Sequence, residues 1–307
     1  MKNIVKNING FIMRPFGLAV CAIIYTFMFG CAFPLVKICI EQFGISADDN
    51  VSKCLLAGVR FFLSGLILVF ICRKNNADKR KALSYSFLYG IFGTTLKYAC
   101  TYIGLSLVTG SKGAILDQMG VFLLVIFSGL FFKGDRLSFL KIIGCILGLL
   151  GIVAVGFEGL NFSFSFMGEG MIILAAFFNT LEYFVAKFAS DKVSSAELVG
   201  KGQLIGGILL MLIALLLGGR FTSVTVKGVL SLTALVIISS FAYTLSLMPL
   251  KYHPVSKVTI YNLLITVFGV IMSGIVLREN IFKIEYIVAI ALISVGIFVI
   301  NKQQERE

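Results

Sequence analysis

Long apolar runs separated by short polar connections dominate this chain. A membrane helix needs about 20 mostly apolar residues to cross roughly 30 Å of hydrocarbon, and ten segments come close to that length. The hydropathy pattern therefore predicts an all-α membrane protein with ten transmembrane helices. The predicted spans are Phe16 to Ile40, Leu55 to Cys72, Ser84 to Val108, Ala114 to Phe132, Leu140 to Phe157, Met167 to Ala189, Leu198 to Gly218, Val229 to Leu250, Pro254 to Leu277 and Ile284 to Ile300.

Two parts of the chain follow the same plan. Ser111-Lys112 in the first part and Ser256-Lys257 in the second each precede a long apolar segment. The first of these segments ends at Asp135 and the second at Glu279, which lie 24 and 23 positions after the two serines. This agreement in order and spacing indicates an internal duplication.

Each half contains five predicted spans, with the first repeat at residues 16–157 and the second at residues 167–301. Because five is an odd number of crossings, the second repeat enters the membrane from the opposite side. Lys37 near the end of span one then corresponds to Lys187 near the end of span six. Inverted repeats of this kind typically build a substrate site near the middle of the membrane that opens to each side in turn.

Basic residues are distributed unevenly over the predicted connections. The connection after span two contains five Lys and Arg residues against one Asp, whereas residues 157–169 contain two acidic residues and no basic one. Lys and Arg are enriched on the cytoplasmic side of membrane proteins. Both termini are therefore predicted to be cytoplasmic in a multi-pass protein of the cytoplasmic membrane.

Composition narrows the class of protein further. Hydrophobic residues make up 58% of the 307 positions and charged residues only 14%, whereas soluble domains average about 25% charged residues. The net charge of +12 comes from the short connections and not from one patch. The expected partner is thus the lipid bilayer, and nucleic acid is excluded.

Catalytic and metal-binding motifs are missing from the sequence. The seven cysteines form no CxxC pair and His253 is the only histidine, so we expect no metal site and no cofactor. Without an HExxH or nucleophile-elbow motif we expect no enzyme. Without a Walker-type loop, transport would draw its energy from a gradient or from the substrate itself.

Glycine pairs indicate close helix packing. Gly144 with Gly148 and Gly202 with Gly206 have the four-residue spacing that lets helices approach each other in lipid. Contacts within one subunit are the favoured interpretation, and a homodimer interface is the alternative.

Three local features, together with the duplication, resemble one known family. Arg60 lies within a Gly-Val-Arg-Phe-Phe stretch of span two, and the fourth span of each repeat ends in an acidic residue at 133–137 and 277–280. A glycine-rich span at 143–153 follows the first of these. Over residues 17–301 the chain resembles the EamA-type members of the drug/metabolite transporter superfamily.

The resemblance implies a bacterial inner-membrane transporter of small organic metabolites, often an exporter of amino acids or related compounds, with spans five and ten outside the central cavity. The chain departs from the family pattern at two points. The family's proline in the fourth span of each repeat is missing, with Gly120 to Phe122 and Thr266 in its place, and span one has no tryptophan. These departures affect the hinge position and the substrate class.

Polar residues recur at helical spacing in several spans. Lys97, Thr101 and Thr94 share one face of span three, and Asn179 and Glu182 share one face of span six. Such faces are unfavourable in hydrocarbon, so we expect them to line a common cavity. The predicted substrate-binding residues are Tyr25, Lys97, Tyr98, Thr101, Asp117, Gln118, Asn179, Glu182, Tyr183, Tyr243, Tyr261 and Asn262.

Arg60 and Lys187 are predicted to be structural or gating residues. Arg60, about five residues into predicted span two, either extends its guanidinium to the membrane interface or points inward. In the inward position it would bind a carboxylate or fix a neighbouring helix. Glu182 either pairs with Lys97 or Lys187, or is protonated within the membrane. Glu182 and Asp117 are the two candidates for a residue that carries a coupled proton.

The sequence favours a secondary transporter, acting as an exporter, for small polar organic metabolites such as amino acids, by alternating access. The alternative is efflux or uptake of organic cations and drugs, including quaternary ammonium compounds. Aromatic faces and the acidic residues Asp117 and Glu182 would suit such cations. In either case the partners are a small-molecule substrate and the bilayer.

Overall fold

The computed structural model describes residues 10, 12–71, 79–131, 139–154, 157–158, 161–162 and 164–304. Most of these residues are helical. In hydrocarbon a helix satisfies its backbone hydrogen bonds within its own segment, which is why long apolar runs fold this way. The helical fold class is confirmed, and the only strands in the described part of the chain are a two-residue antiparallel pair, β1 (Phe157–Glu158) and β2 (Asn161–Phe162).

We number the helical segments in chain order and treat directly continuous turns as one segment. The first five are α1 (Pro15–Gln42), α2 (Asn50–Ile71), α3 (Lys79–Tyr89, the π-helical Gly90–Leu96 and Lys97–Leu107), α4 (Gly110–Leu116 and Met119–Phe131) and α5 (Phe139–Ala154). The others are α6 (the π-helical Phe166–Gly170 and Met171–Ala189), α7 (Ser195–Leu216), α8 (Val226–Leu247 with the 3₁₀ turn Met248–Lys251), α9 (Val255–Thr259, the 3₁₀ turn Ile260–Asn262 and Leu263–Leu277) and α10 (Ile284–Gln304).

Six of these segments in the described part of the chain are long and apolar enough to cross a membrane. They are α1, α2, α4, α6, α7 and α8. α5, α9 and α10 contain shorter apolar helices, and α3 starts with three basic residues at 79–81. The structure thus supports a multi-span membrane protein, while ten crossings stay a prediction.

The second span begins earlier than predicted. α2 starts at Asn50 and not at Leu55, because the polar residues of its first turn have hydrogen-bond partners. The backbone N–H of Ser52 donates to Asp49 Oδ1 at 2.9 Å, and Lys53 Nζ donates to Asn50 Oδ1 at 2.9 Å. Ser52 is buried and also accepts a hydrogen bond from the backbone N–H of Arg220 at 3.0 Å. The longer helix places Arg60 in the middle of the 22 residues of α2 and not near its end.

The main contacts between segments join the two halves of the chain, and equivalent segments make equivalent contacts. α2 packs against α7 and α5 against α10, which are the second and fifth segments of each half. α1 packs against α8 and α9, just as α6 packs against α3 and α4. Each contact between the halves therefore has an equivalent in which the two halves are exchanged.

α2 and α7 run antiparallel. A Cβ on Gly58 would lie 2.6 Å from the backbone nitrogen of Met211, and a Cβ on Gly65, two turns later, would lie 2.3 Å from that of Leu204. The contact thus moves backwards along α7 as α2 advances. Only glycine permits backbones to come this close. Because α2 and α7 are the second segments of the two halves, these equivalent segments point in opposite directions.

The predicted glycine pairs also make contacts between helices of one chain. A Cβ on Gly296 of α10 would lie 2.4 Å from the carbonyl oxygen of Gly144 in α5. A Cβ on Gly206 of α7 would lie 2.5 Å from the carbonyl oxygen of Gly90 in α3. Packing within one subunit is the role that the sequence analysis favoured for Gly144 and Gly206.

Candidate functional site

α4 is interrupted near its middle, at Asp117 and Gln118. The Gln118 N–H donates to the carbonyl oxygen of Ile115 at 3.1 Å, where a regular α-helix would use that of Ala114. The freed oxygen of Ala114 accepts instead from Thr266 Oγ1 of α9 at 3.2 Å. A partner from another helix makes this interruption tolerable inside a membrane.

α9 is interrupted at the equivalent point, where it changes to a 3₁₀ turn over Ile260–Asn262. The alignment of the two repeats on their Ser-Lys pairs places Asp117 on Asn262. Gln118 Nε2 donates to the carbonyl oxygen of Asn262 at 3.4 Å, so the two interruptions contact each other. The same alignment places Tyr98 on Tyr243, and the hydroxyl groups of these two residues are also in contact.

A polar cavity lies beside these contacts. Its volume is about 90 Å³, measured as the space that the centre of a water molecule can occupy, which is several times what one water needs. Arg60 lines the cavity together with nine of the twelve predicted substrate-binding residues. These nine are Lys97, Tyr98, Thr101, Asp117, Gln118, Asn179, Tyr183, Tyr243 and Asn262.

Lys97 of α3 connects three helices through its ammonium group. Its Nζ lies 2.8 Å from Glu182 Oε2 of α6 in a buried ion pair. It also donates to Asn179 Oδ1 at 2.7 Å and to the Tyr243 hydroxyl of α8 at 3.1 Å. The other oxygen of Glu182 accepts from the Tyr89 hydroxyl at 2.6 Å. Of the pairings that the sequence left open for Glu182, the structure has the one with Lys97.

Arg60 points inward, so the alternative in which it extends to the membrane interface is wrong. Its side chain is only 1% exposed because α2 starts early enough to place it at mid-helix. Nε donates to Ser239 Oγ at 2.7 Å and Nη1 to the Tyr102 hydroxyl at 3.3 Å. The guanidinium also lies over the rings of Phe61 and Tyr98, at 4.8 and 5.5 Å from their centroids.

A network of polar side chains that are not among the predicted site residues supports Arg60. Ser64 Oγ donates to Gln203 Oε1 at 2.5 Å and contacts Ser240 Oγ at 2.9 Å. Gln203 Nε2 donates to the carbonyl oxygen of Ser239 at 3.1 Å. All four residues are buried, and polar groups buried at a helix interface are the signal that could have indicated them.

Asp117 faces the cavity from the interruption in α4. Its carboxylate forms no hydrogen bond or ion pair with the residues that the structure describes. At the equivalent Asn262, both polar atoms of the side chain are hydrogen-bonded. Oδ1 accepts from the Tyr25 hydroxyl at 3.1 Å, and Nδ2 donates to the Tyr183 hydroxyl at 3.2 Å. The two repeats therefore differ at this position.

Three predicted substrate-binding residues lie behind the cavity wall and not on its surface. Tyr25 is fully buried and contacts Asn262. Glu182 is covered by Lys97, and Tyr261 packs against the apolar group around Tyr25. Tyr25 and Glu182 thus orient Asn262 and Lys97 of the lining.

Lys187 lies away from the cavity, in a contact that the first repeat also makes. Lys37 and Lys187 each donate to two backbone carbonyl oxygens at a helix end, at distances of 2.5 to 3.2 Å. A cation is favourable at the carboxyl end of a helix. The acceptors are Leu105 and Val108 at the end of α3, and Leu250 and His253 at the end of α8, which occupy equivalent positions in the two repeats.

Acidic residues from two helices hold the start of α4. The carboxylate of Glu279, from the end of α9, accepts from two backbone N–H groups and from Ser111 Oγ at 2.8 to 3.0 Å. Lys112 Nζ lies 2.5 Å from Glu169 Oε1 of α6. Asp135, which aligns with Glu279, lies outside the described residues.

The cavity therefore presents two opposite charges without ionic partners. Lys97 and Glu182 neutralise each other, whereas neither Arg60 nor Asp117 has an ion-pair partner in the described part of the chain. A buried charge without a partner is unfavourable by several kcal/mol. Ionisable residues kept at this depth are typical of substrate pathways.

Comparison with known proteins identifies the family and the fold of this chain. A sequence model of the EamA-like transporter family matches the chain twice, at residues 17–157 and 166–302. A crystal structure that is 18% identical in sequence superposes with a TM-score of 0.66 over 93% of this chain and 98% of the other, and so has the same fold.

Relatives are found in bacteria and archaea. The uncharacterized transporter YvbV of Bacillus subtilis is 26% identical over 290 residues, which cover 91% of this chain and 90% of the relative. An uncharacterized transporter of Methanothermobacter thermautotrophicus is 24% identical over 306 residues, which cover 95% of this chain and 88% of the relative. With both halves matched by the family model, the chain belongs to the EamA-like transporter family, within the drug/metabolite transporter superfamily.

Proposed function

We propose that the protein is a secondary transporter that exports small polar organic metabolites, such as amino acids, across the cytoplasmic membrane by alternating access. Family membership gives the class of transporter. The observation that carries the finer proposal is the cavity between the interruptions of α4 and α9, where Arg60, Lys97 and Asp117 surround one space. A small ligand with several polar groups would find a partner on each side of it.

The architecture that we infer has ten crossings in two inverted repeats, 16–157 and 167–301. Antiparallel packing of α2 against α7 supports the inversion, because equivalent segments of the two halves point in opposite directions. Together with the basic connections this topology would leave both termini in the cytoplasm. Movement of one repeat against the other would open the central cavity to each side in turn.

A second candidate is efflux or uptake of organic cations and drugs, including quaternary ammonium compounds. The rings of Phe29, Phe33 and Tyr98 in the cavity wall favour it, because the faces of aromatic rings attract cations. Asp117 could anchor a positive charge. The unpaired guanidinium of Arg60 opposes this candidate, since it would repel a ligand that carries only positive charge.

Substrate exchange in reconstituted vesicles tests the proposal. Vesicles loaded with a mixture of unlabelled amino acids should take up labelled external amino acids faster than empty vesicles, whatever energy source drives net transport. Parallel vesicles loaded with choline and tetraethylammonium test the second candidate. Exchange of the cations alone would favour that candidate, and absence of amino-acid exchange would contradict the proposal.

The direction of transport needs a separate measurement in cells. Expression of an exporter should raise the tolerance of cells to toxic amino-acid analogues, because the analogue is removed from the cytoplasm. The matched control is an Arg60→Lys variant expressed to the same level. Increased sensitivity to the analogues would contradict export.

A further inference from the structure

We propose that Asp117 and Gln118 form an ammonium subsite in the cavity, which binds a protonated amine through its N–H groups. The inference rests on the proposed function, because it assigns one end of a transported substrate to these two residues. It goes further by excluding quaternary ammonium compounds, which have the positive charge but no N–H donor.

An ionised Asp117 would have the charge that an ammonium group requires, and no described residue forms a hydrogen bond or an ion pair with its carboxylate. The carboxylate is partly exposed, lines the cavity and has no partner among the described residues. Asn262, its equivalent in the second repeat, differs, because its amide forms hydrogen bonds with Tyr25 and Tyr183 within the protein. The carboxylate of the first repeat is therefore available to a ligand.

Gln118 supplies a second acceptor. Its Nε2 donates to the carbonyl oxygen of Asn262 at 3.4 Å, and because a carbonyl can only accept, this contact orients the whole amide group. The amide oxygen Oε1 is buried and has no hydrogen-bond partner in the described part of the structure. The residue is only 1% exposed and belongs to the cavity lining. A buried acceptor without a donor is destabilising, and a ligand N–H would supply the missing bond.

The opposite end of such a ligand also has a partner. Arg60 lines the same cavity, and no carboxylate among the described residues pairs with it. Lys97 cannot play this part, because its ammonium is already paired with Glu182 at 2.8 Å. An amine at Asp117 and a carboxylate at Arg60 together describe a zwitterion, and an amino acid is the simplest example.

Acceptors on two adjacent lining residues would distinguish between kinds of cation. A primary ammonium has three N–H donors, so it can bond to the Asp117 carboxylate and to Gln118 Oε1 together. A trimethylammonium group has the same charge, but it would leave Oε1 without a donor and its methyl groups would separate the charges. We expect primary amines to bind about tenfold or more tightly than their trimethylated counterparts.

The test is thermal stabilisation of the purified full-length protein by pairs of compounds that differ only in N-methylation. The pairs are glycine and glycine betaine, ethanolamine and choline, and L-leucine and its N,N,N-trimethyl derivative. A ligand that binds the folded protein raises its apparent stability, so a titration gives an apparent Kd. Each titration is repeated with Asp117→Asn, with Gln118→Leu and with the control Asp191→Asn, which removes an exposed carboxylate after α6.

At least one primary amine should stabilise the wild-type protein about tenfold more tightly than its trimethylated partner. Asp117→Asn and Gln118→Leu should each weaken that binding about tenfold, and Asp191→Asn should not. Without ligand, Asp117→Asn should melt at or above the temperature of the wild type, because it removes a charge that has no partner among the described residues. Equal stabilisation by both members of a pair, unchanged binding by Asp117→Asn, or a panel in which no amine stabilises would overturn the inference.

A sodium ion is the other ligand that oxygen acceptors can hold. Titration with sodium chloride and with potassium chloride, without any amine, therefore belongs to the same experiment. Stabilisation by sodium alone that disappears in Asp117→Asn would overturn the ammonium subsite in favour of a coupled cation.

Vesicle exchange separates failure of the subsite from failure of the proposed function. If Asp117→Asn still exchanges labelled amino acids at the wild-type rate, the subsite is wrong and the transport proposal stands. If amines bind in the expected pattern but the wild-type protein exchanges no amino acid, the subsite stands and the transport proposal fails.

Discussion

Removal of the positive charge of Lys97, with Glu182 left in place, should strongly destabilise the protein. The Glu182 side chain is fully buried, and its carboxylate lies 2.8 Å from Lys97 Nζ. In Lys97→Met the hydroxyl of Tyr89, at 2.6 Å, would be the remaining donor to that carboxylate among the described residues. One neutral hydrogen bond compensates poorly for a buried negative charge.

The expected loss can be given a magnitude. Breaking a buried ion pair by removing one partner typically destabilises a protein by about 3–5 kcal/mol. Since about 1 kcal/mol lowers the melting temperature of a chain of roughly this size by about 2–4 °C, Lys97→Met should melt on the order of 10 °C below the wild type. The charge-balanced Lys97→Met/Glu182→Gln should come within about 2 kcal/mol of the wild type, because no charge is then left buried.

Thiol labelling on heating is a suitable assay, because the chain has no tryptophan to report unfolding by its fluorescence. A thiol-reactive dye that fluoresces on coupling would follow unfolding as buried cysteines become exposed. None of these thiols contributes to the Lys97 contacts, so the probe leaves the ion pair unchanged. The described free and buried cysteines are Cys21, Cys39, Cys100 and Cys145.

Lys192→Met is the matched control for the loss of a lysine. Lys192 is exposed, and its ammonium contacts the Tyr85 hydroxyl at 2.6 Å at the protein surface. Its removal should change stability by less than about 1 kcal/mol. The reasoning would be refuted if Lys97→Met melted within about 2 °C of the wild type, or if the charge-balanced double variant melted as low as Lys97→Met.

Three further predictions test the site and the fold. Arg60→Lys should fold but lose about tenfold or more of amino-acid exchange in vesicles, because an ammonium cannot reproduce the planar fork that contacts Ser239. Gly65→Ala should reduce the free energy of unfolding by about 1–3 kcal/mol and so lower the melting temperature in the dye assay, since its Cβ would lie 2.3 Å from the backbone nitrogen of Leu204. Glu279→Gln should cost about 1 kcal/mol in the same assay, because a neutral amide holds the start of α4 less strongly.

The polar faces of α3 and α6 could be predicted from the sequence. Lys97 and Glu182 each lie in an otherwise apolar segment, and hydrocarbon excludes charge, so both had to face protein or water. Their pairing with each other could not be predicted from the sequence, because it depends on the distance between two helices. Pairing of Glu182 with Lys187 satisfied the sequence equally well, yet Lys187 holds the end of α8.

The position of Arg60 shows how a small error in a helix boundary changes a functional interpretation. The hydropathy pattern left out the first turn of α2, because Asn50, Ser52 and Lys53 are polar. Within this turn Lys53 Nζ donates to Asn50 Oδ1 at 2.9 Å, and Ser52 Oγ accepts from the distant backbone N–H of Arg220 at 3.0 Å. With these partners the polar turn is helical although its hydropathy is low. With the helix shortened, Arg60 came close enough to its end for an interfacial position to be plausible.

The interruptions of α4 and α9 could not be predicted from local sequence. Neither proline nor glycine stands at residues 117–118, and the positions where the family's proline was expected, Gly120 to Phe122 and Thr266, come later in each segment. The α4 interruption is stabilised by Thr266 Oγ1 on the carbonyl oxygen of Ala114, across 152 positions of sequence. A hydrogen bond between distant segments leaves no periodic pattern that a reading of the sequence can detect.

Differences between the repeats turn the duplicated scaffold into a polar site. Where the first repeat has Asp117 the second has Asn262, and where the first has Lys97 the second has Ala242. Two aspartates at the interruptions would place like charges beside one cavity and repel each other, whereas two asparagines would leave it without an anion. With one of each, the cavity lining has the Asp117 carboxylate and the Arg60 guanidinium, neither of which forms an ion pair with a described residue. If the protein transports by alternating access as proposed, the symmetric scaffold would change conformation by exchanging equivalent contacts. The asymmetric charges would then hold a zwitterionic substrate in one orientation.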